Sequence, residues 1–222
     1  MSKSNGNATS LVFTYLEVRR TIGILGLLFP FILLIGALIL FQTGIQSSIS
    51  NYYHTGMRDV FVGMLFVMGF FLFAYKGYER SDNIAGNLAC IFAVGVALFP
   101  CTPDTGPTII DHIIGYVHLA FAILFFLTLI YISLFLFTKT NPDKPPTKRK
   151  LQRNTVYRIC GYAMIVCIAL IFVYLILPDP IASFFEPLNP VYWLETFTVL
   201  AFGASWFTKG EAILKDEVMP AK

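Results

Sequence analysis

The chain has 222 residues, of which 56% are hydrophobic and only 13% are charged, and its formal net charge is +3. Soluble domains carry about 25% charged residues, so this composition leaves too little polar surface for a protein surrounded by water. It excludes an ordinary soluble domain and indicates helices that lie largely in lipid.

Several apolar runs follow one another along the chain, each close to the 20 or so residues that a helix needs to cross a bilayer core. They cover residues 22–41, 57–75, 84–101, 109–137, 157–177 and 191–207. The first run is longer than the apolar part of a signal peptide and no small-residue cleavage motif follows it, so we expect the mature protein to keep it. The pattern predicts an all-α polytopic membrane protein, a single six-transmembrane-helix bundle.

The segments between these runs differ in charge. Of the 16 lysine and arginine residues, 15 fall in the N-terminal segment, the connections after the second and fourth runs, and the C-terminal segment, whereas Arg58 alone lies on the other side. Basic residues accumulate on the cytoplasmic side of membrane proteins. The sequence therefore predicts that both termini are cytoplasmic, and a bacterial inner (plasma) membrane is the default location.

The connection 138–156 is rich in proline and basic residues. We interpret it as a basic cytoplasmic loop that determines topology and is attracted to anionic membrane lipids. Nucleic-acid binding is not predicted, because no folded soluble module accompanies the charge. The oligomeric state is left open by the sequence.

Small residues predict where the helices pack closely, because helix association in lipid depends on close approach. Helix three carries a four-residue ladder of alanines, which are Ala85, Ala89, Ala93 and Ala97. Gly63 and Gly69 on helix two suggest a second contact surface.

The orientation places all three histidines and several acidic residues on the extracytoplasmic side. Ionisable groups within a bilayer are costly, so they normally face the bundle interior and pair. We expect His118, about two turns into helix four, to contact Glu195 or Asp59. If helix two begins near His54, then His54 and Arg58 share one face. The ligand-binding or ion-handling candidates are Tyr53, His54, Arg58, Asp59, Asp104, Asp111, His112, His118 and Glu195.

A divalent metal such as zinc is a cofactor that some of these side chains are suited to hold. The candidate ligands are His54, His112, His118 and Asp59. The six-residue spacing of His112 and His118 is not that of a zinc hydrolase helix, and it separates them by about 120° around the helix. The metal therefore stays open, and no catalytic residue is assigned.

The connection 178–190 contains four prolines and two adjacent phenylalanines. Two interpretations are open. The segment is either a hairpin connection with interfacial aromatic residues or a mobile flap over the outer mouth of the bundle.

Three short motifs resemble a known family. They are the stretch Ser48-Ile49-Ser50-Asn51-Tyr52-Tyr53, the following Arg58-Asp59-Val60-Phe61, and Leu98-Phe99-Pro100 before a histidine-bearing helix. They resemble uncharacterised bacterial six-helix membrane proteins that carry a domain of unknown function. That family is distantly similar to proteins of the damage-regulated autophagy modulator and FGF-receptor-activating type. The resemblance implies a six-helix bundle with a polar mouth and implies no reaction.

Three functions remain open. The first is a lipid-binding or small-ligand-binding protein whose outward polar pocket is lined by Tyr52, Tyr53, Arg58 and Glu195. The second is a membrane-embedded metal-dependent hydrolase, in which a metal held by the histidines and acidic residues activates water. The third is a proton-coupled transporter in which His118 and Glu195 titrate. The sequence does not decide whether the protein is an enzyme.

Overall fold

The structure, a computed structural model, describes residues 14–77, 79–140 and 145–215. Within these ranges the protein is all-α and contains no β-strand. The α-helices are α1 (Tyr15–Phe41), α2 (Arg58–Ala74), α3 (Arg80–Leu98), α4 (Ile109–Tyr131), α5 (Lys148–Leu175), α6 (Asp179–Phe185) and α7 (Pro190–Lys209). A π-helical turn, Ile132–Leu136, continues α4, and 3₁₀ turns cover Ser50–His54 and Glu186–Leu188.

Four helical segments in the described part of the chain are long and apolar enough to cross a membrane. They are Tyr15–Phe41, Arg80–Leu98, Ile109–Leu136 and Lys148–Leu175. Helix α2 has 17 residues, at the short end of the range that spans a bilayer. Helix α7 has 20 residues but includes Glu195 and several threonines. Four of the six predicted runs thus correspond to helices that are long and apolar enough to cross a membrane.

Capping residues explain where several helices begin. The Thr14 side chain accepts a hydrogen bond from the Glu17 backbone, and Thr108 does the same for Asp111, so both helices start with a capping box. Thr147 caps α5, which therefore begins at Lys148. The predicted basic loop 138–156 is accordingly helical in its second part, because basic residues extend α5 beyond its apolar run.

The connection between α5 and α7 is also helical. Helix α6 and the 3₁₀ turn Glu186–Leu188 occupy most of it and contain no buried residue. An exposed helical segment rich in aromatic side chains is typical of the membrane interface. Whether it moves as a flap stays a prediction.

Small residues allow close helix packing at two places. A Cβ atom on Gly203 of α7 would lie 2.7 Å from the Leu27 nitrogen and 2.9 Å from the Gly23 oxygen of α1, so only glycine fits. The alanine ladder of α3 is buried as predicted, and a Cβ atom added to Gly69 of α2 would lie 3.4 Å from the Ala93 Cβ. Gly63 is exposed, and a Cβ atom added there would meet no described atom within 4 Å, so its predicted packing role is wrong.

The helices alternate in direction, which gives the bundle two unlike ends. The basic end comprises the start of α1, the α2–α3 and α4–α5 connections, and the end of α7. There Arg20 Nε donates to the Gly210 carbonyl over 2.7 Å, and Lys139 Nζ lies 2.7 Å from a Glu79 carboxylate oxygen. The cavity end comprises the α1–α2, α3–α4 and α5–α7 connections.

Candidate functional site

Helix α5 is unevenly packed, and this creates the site. All of its buried residues lie at or before Met164, towards the basic end, and they are Arg153, Asn154, Tyr157, Cys160, Gly161 and Met164. None of the residues from 165 to 175 is buried. Helices α4 and α5 contact each other mainly near the basic end, around the π-helical turn. The rest of α5 therefore leaves space beside α4.

A cavity of about 890 Å³ occupies this space at the cavity end. Apolar residues of α4 and α5, among them Leu119, Ala122, Ile171 and Leu175, form part of its wall. Polar residues come chiefly from the connections and from the start of α7. They include Gln46, Ser47, Ser48, Ser50, Asn51, Thr102, Asp104, Asp179, Ser183, Glu186, Asn189 and Glu195. The cavity therefore combines an apolar side with a polar one.

His118 lines the large cavity, and its ionisable side chain is buried. Its Nδ1 lies 2.7 Å from the Phe99 carbonyl oxygen and its Nε2 lies 3.0 Å from Ser50 Oγ. A carbonyl oxygen only accepts hydrogen bonds, so Nδ1 carries the proton. The Ser50 hydroxyl donates to Nε2 when the ring is neutral and accepts from it when the ring is protonated.

The α1–α2 connection is held by hydrogen bonds from several directions. Glu195 of α7 accepts from the Ile49 backbone N–H at 2.6 Å, and the Ser47 hydroxyl donates to Asp104 over 3.2 Å. The Cys101 thiol donates to the Asn51 side-chain oxygen over 2.9 Å. Together with the Ser50–His118 bond, these contacts fix the polar side of the cavity to α4, α7 and the α3–α4 connection.

A smaller, mostly apolar pocket of about 40 Å³ lies deeper in the bundle. Its walls include Phe29, Phe61 and Phe125, and it shares Ser50, Ala122 and Glu195 with the large cavity. A buried water needs about 10–15 Å³ measured in this way, so the pocket has room for only a few atoms. Glu195 and Ser50 thus stand where the large cavity meets the apolar core.

Three of the predicted site residues line the cavity, namely Asp104, His118 and Glu195. The expected contact of His118 with Glu195 or Asp59 is wrong. Instead, His118 contacts Ser50 of the α1–α2 connection, and Glu195 contacts the adjacent residue Ile49. The Ser50 hydroxyl and the Ile49 backbone N–H of that connection supply the polar partners that sequence reasoning sought on other helices.

Other predicted residues lie outside the cavity lining. Arg58 stacks 4.5 Å above the Tyr53 ring and donates to the Tyr53 hydroxyl over 2.8 Å. The expected shared face of His54 and Arg58 is wrong, because His54 ends a 3₁₀ turn before α2 begins. His54 Nε2 instead lies 2.7 Å from the Cys101 carbonyl oxygen.

The remaining candidates have other surroundings. Asp111 belongs to the capping box of α4, and Asp59 and His112 are exposed in the first turns of α2 and α4. Tyr52 is buried, and burial raises the pKa of its hydroxyl. Of the residues expected to line an outward pocket, Tyr52, Tyr53, Arg58 and Glu195, only Glu195 lines the observed cavity.

No group of three or more histidine, cysteine, aspartate or glutamate side chains suited to a metal occurs among the residues that the structure describes. The four predicted ligands, His54, His112, His118 and Asp59, are not brought together. Both nitrogens of His118 already have protein partners. A zinc ion stays a prediction from the sequence.

Sequence reasoning missed several polar residues that line the cavity, chiefly Ser47, Ser50, Asn51, Asp179 and Glu186. The sequence contained one signal for the first three, because they belong to a mostly polar run between two apolar helices, Ser47-Ser48-Ile49-Ser50-Asn51. Asp179 and Glu186 gave no such signal, because the path of α6 beside the cavity depends on how α5 and α7 pack.

Comparison with protein-family models, curated proteins and solved structures finds no match for this chain. The family resemblance of the short motifs therefore stays a prediction.

Proposed function

We propose that the protein spans a membrane with six helices, with the basic end in the cytoplasm. The 15 basic residues in the segments assigned to that side support this orientation. Helix α2, with 17 residues, is about 25 Å long, which suffices to span a thin or locally adapted bilayer. Helix α7 packs against α1 and α5, so its polar residues are shielded from lipid.

The function that we infer is binding of an amphiphile, a molecule with a polar head and an apolar chain. The observation that carries this proposal is the cavity, whose polar side is built from fixed connections and whose apolar side is built from α4 and α5. Lining residues such as Leu119 and Leu175 also belong to the exposed apolar surface. A lipid chain can therefore stay beside these helices while its head enters the polar side.

Saturable binding of labelled amphiphiles tests this function. The purified full chain, in phosphatidylcholine nanodiscs, is titrated with dodecyl probes that carry a fluorophore at the chain end, and empty nanodiscs measure simple partitioning. We expect saturable binding above that background. Leu119→Trp fills the cavity wall and should weaken binding by about tenfold or more, which corresponds to about 1.4 kcal/mol.

A matched control is available on the same helix. Leu124 is 43% exposed, close to the 41% of Leu119, but it does not line the cavity. Leu124→Trp should therefore leave binding unchanged. Equal effects of the two substitutions, or no saturable binding to the unmodified protein, would contradict the proposed function.

The Ser50–His118 contact favours hydrolysis of an ester as a second candidate function. Ser50, His118 and the Phe99 carbonyl have the order of a nucleophile, a base and an acceptor that orients the base. The serine oxygen would bond to the ester carbonyl carbon while its proton passed through His118 to the leaving alcohol, and water would then release the acid. Glu195 brings negative charge to the neighbouring Ile49, which disfavours an oxyanion there. We therefore place this function second.

A fluorophosphonate probe separates the two functions, because it labels only activated serine hydroxyls. Pure binding predicts no labelling of the unmodified protein. Labelling that disappears in Ser50→Ala and in His118→Ala, but persists in Ser183→Ala, would instead support hydrolysis. Ser183 also lines the cavity but has no histidine partner among the described residues, so it is the matched control.

A further inference from the structure

The ionisable residues that line the large cavity are almost all acidic. Four carboxylates reach it from different segments: Asp104 from the α3–α4 connection, Asp179 and Glu186 from the two ends of the α6 region, and Glu195 from α7. No lysine or arginine occurs among the described lining residues. His118 is the one histidine among the described lining residues, and a single ring cannot offset four carboxylates.

The partners of these carboxylates are neutral. Asp104 accepts from the Ser47 hydroxyl and Glu195 accepts from the Ile49 backbone N–H. The ion pairs between described residues, Lys139–Glu79 and Arg153–Glu211, lie at the basic end. Arg58, the basic residue nearest in sequence to the cavity-end connections, stacks on Tyr53 and does not line the cavity. The cavity therefore contains negative charge that the lining residues do not neutralise.

The four carboxylates also occur at two depths. Asp104, Asp179 and Glu186 are exposed, whereas Glu195 is partly buried and also lines the deeper apolar pocket. Exposed charges at a mouth raise the local concentration of oppositely charged molecules. A partly buried carboxylate forms stronger contacts, because the interior screens them less.

We propose that the cavity selects an amphiphile whose head carries a positively charged ammonium group. This inference rests on the proposed function, binding of an amphiphile, and specifies the head. An ammonium group donates charge-assisted hydrogen bonds to carboxylates, while the chain lies along the apolar residues of α4 and α5. A phosphate or carboxylate head would meet the like charges of the three exposed carboxylates at the mouth, and this repulsion disfavours binding of such a ligand.

Three dodecyl probes with the same fluorophore at the chain end test the head group. One carries a terminal amine, one an alcohol and one a carboxylate. They are titrated into the full chain in phosphatidylcholine nanodiscs and into empty nanodiscs. We expect the amine to bind at least about tenfold more tightly than the alcohol, as one charge-assisted contact provides. The carboxylate should bind most weakly, and the preference should shrink as salt is added.

Charge-neutralising variants locate the effect. Glu195→Gln keeps an acceptor for the Ile49 N–H, and Asp104→Asn keeps one for Ser47, so both should fold. Each should weaken amine binding by about tenfold while leaving alcohol binding unchanged. Asp59→Asn is the matched control, because Asp59 is an exposed acid at the same end of the bundle that does not line the cavity. It should change neither probe.

The outcomes separate the inference from the function on which it rests. Saturable binding of all three probes with equal affinity would keep amphiphile binding and overturn the ammonium preference. No saturable binding of any probe would overturn the proposed function itself. Methylammonium, a soluble ammonium ion with the same N–H donors as the amine probe, distinguishes the source of the charge. Failure to displace the amine probe supports an amphiphile, whereas full displacement at a concentration equal to that of the probe would assign the site to a soluble amine.

Discussion

The two ends of the bundle are built in opposite ways. At the basic end, the Trp206 ring packs 4.9 Å from the rings of both Tyr75 and Phe137, and a hydrogen bond from Arg20 to Gly210 joins the start of α1 to the end of α7. At the cavity end, hydrogen bonds to His118 and Glu195 hold a connection in place beside an open space of about 890 Å³. One end is filled with side chains, whereas the other is held open by polar contacts.

The densely packed end of the bundle is therefore separate from the end that contains the candidate site. Lipid provides little hydrophobic force between helices, so close packing of side chains is the main source of association. The basic end supplies that packing. At the cavity end, α5 lacks such close side-chain packing. The connections there are held in place by hydrogen bonds instead.

The largest effect is expected at the closed end. Trp206 is only 1% exposed, so Trp206→Ala removes a ring from the centre of the aromatic cluster and should lower the free energy of unfolding by about 3–5 kcal/mol. Trp193, which is 42% exposed near the cavity end, is the matched control, and Trp193→Ala should have a much smaller effect. Unfolding of the purified protein in mixed micelles measures both. Similar losses would contradict the division between the two ends.

A second comparison lies within α5 itself. Met164 is the last buried residue of α5, and Met164→Ala should lower the free energy of unfolding by about 2–5 kcal/mol. Leu170 lies in the segment that follows and is 48% exposed, so Leu170→Ala should change the free energy of unfolding very little, because lipid replaces its contacts. The same unfolding measurement applies. A large loss in Leu170→Ala would show that the second half of α5 packs against the bundle, and the cavity would then be smaller than described.

The smallest effect concerns an exposed pair at the basic end. The hydrogen bond from Lys139 holds the pKa of Glu79 below its usual range, and the same contact raises the pKa of Lys139. The Glu79 contribution to stability is therefore present above the pKa of the unfolded carboxyl and is lost as the pH falls through its lowered folded value. The Lys139 contribution is lost as the pH rises through its raised pKa. We expect a small effect, because water screens exposed pairs.

Melting temperatures of the unmodified protein and of Glu79→Gln, measured across acidic pH, test this linkage. The two should differ at neutral pH and converge in acid. Lys139→Gln should lower the melting temperature by a similar amount. The double variant should lower it little further, because each single substitution already removes the same contact. A constant difference between the unmodified protein and Glu79→Gln at every pH would exclude the pair as its source.

Parts of the fold follow from local sequence. The apolar runs correspond to helices because a backbone surrounded by lipid must satisfy its own hydrogen bonds. The alanine ladder of α3 is buried as its four-residue spacing predicts. Helix starts, such as α4 after Thr108, follow from capping residues. Gly63 shows the limit of such reasoning, because a small residue does not reveal whether another helix approaches it.

The candidate site was only partly predictable. Asp104, His118 and Glu195 were recognised because ionisable groups near apolar helices are rare and costly. Their partners were not, because backbone atoms such as the Phe99 oxygen and the Ile49 nitrogen have no signature in the sequence. Arg58 was predicted to belong to the site, but α2 begins at Arg58 and not near His54, and the Arg58 side chain contacts Tyr53.

The apolar helices and the division of charge between the connections can be read from the sequence alone, because both are set by the composition of short continuous segments. Only the tertiary structure decided that the second half of α5 leaves a cavity beside α4. It also decided that four distant acidic residues share that cavity, because their proximity depends on packing between helices far apart in the chain.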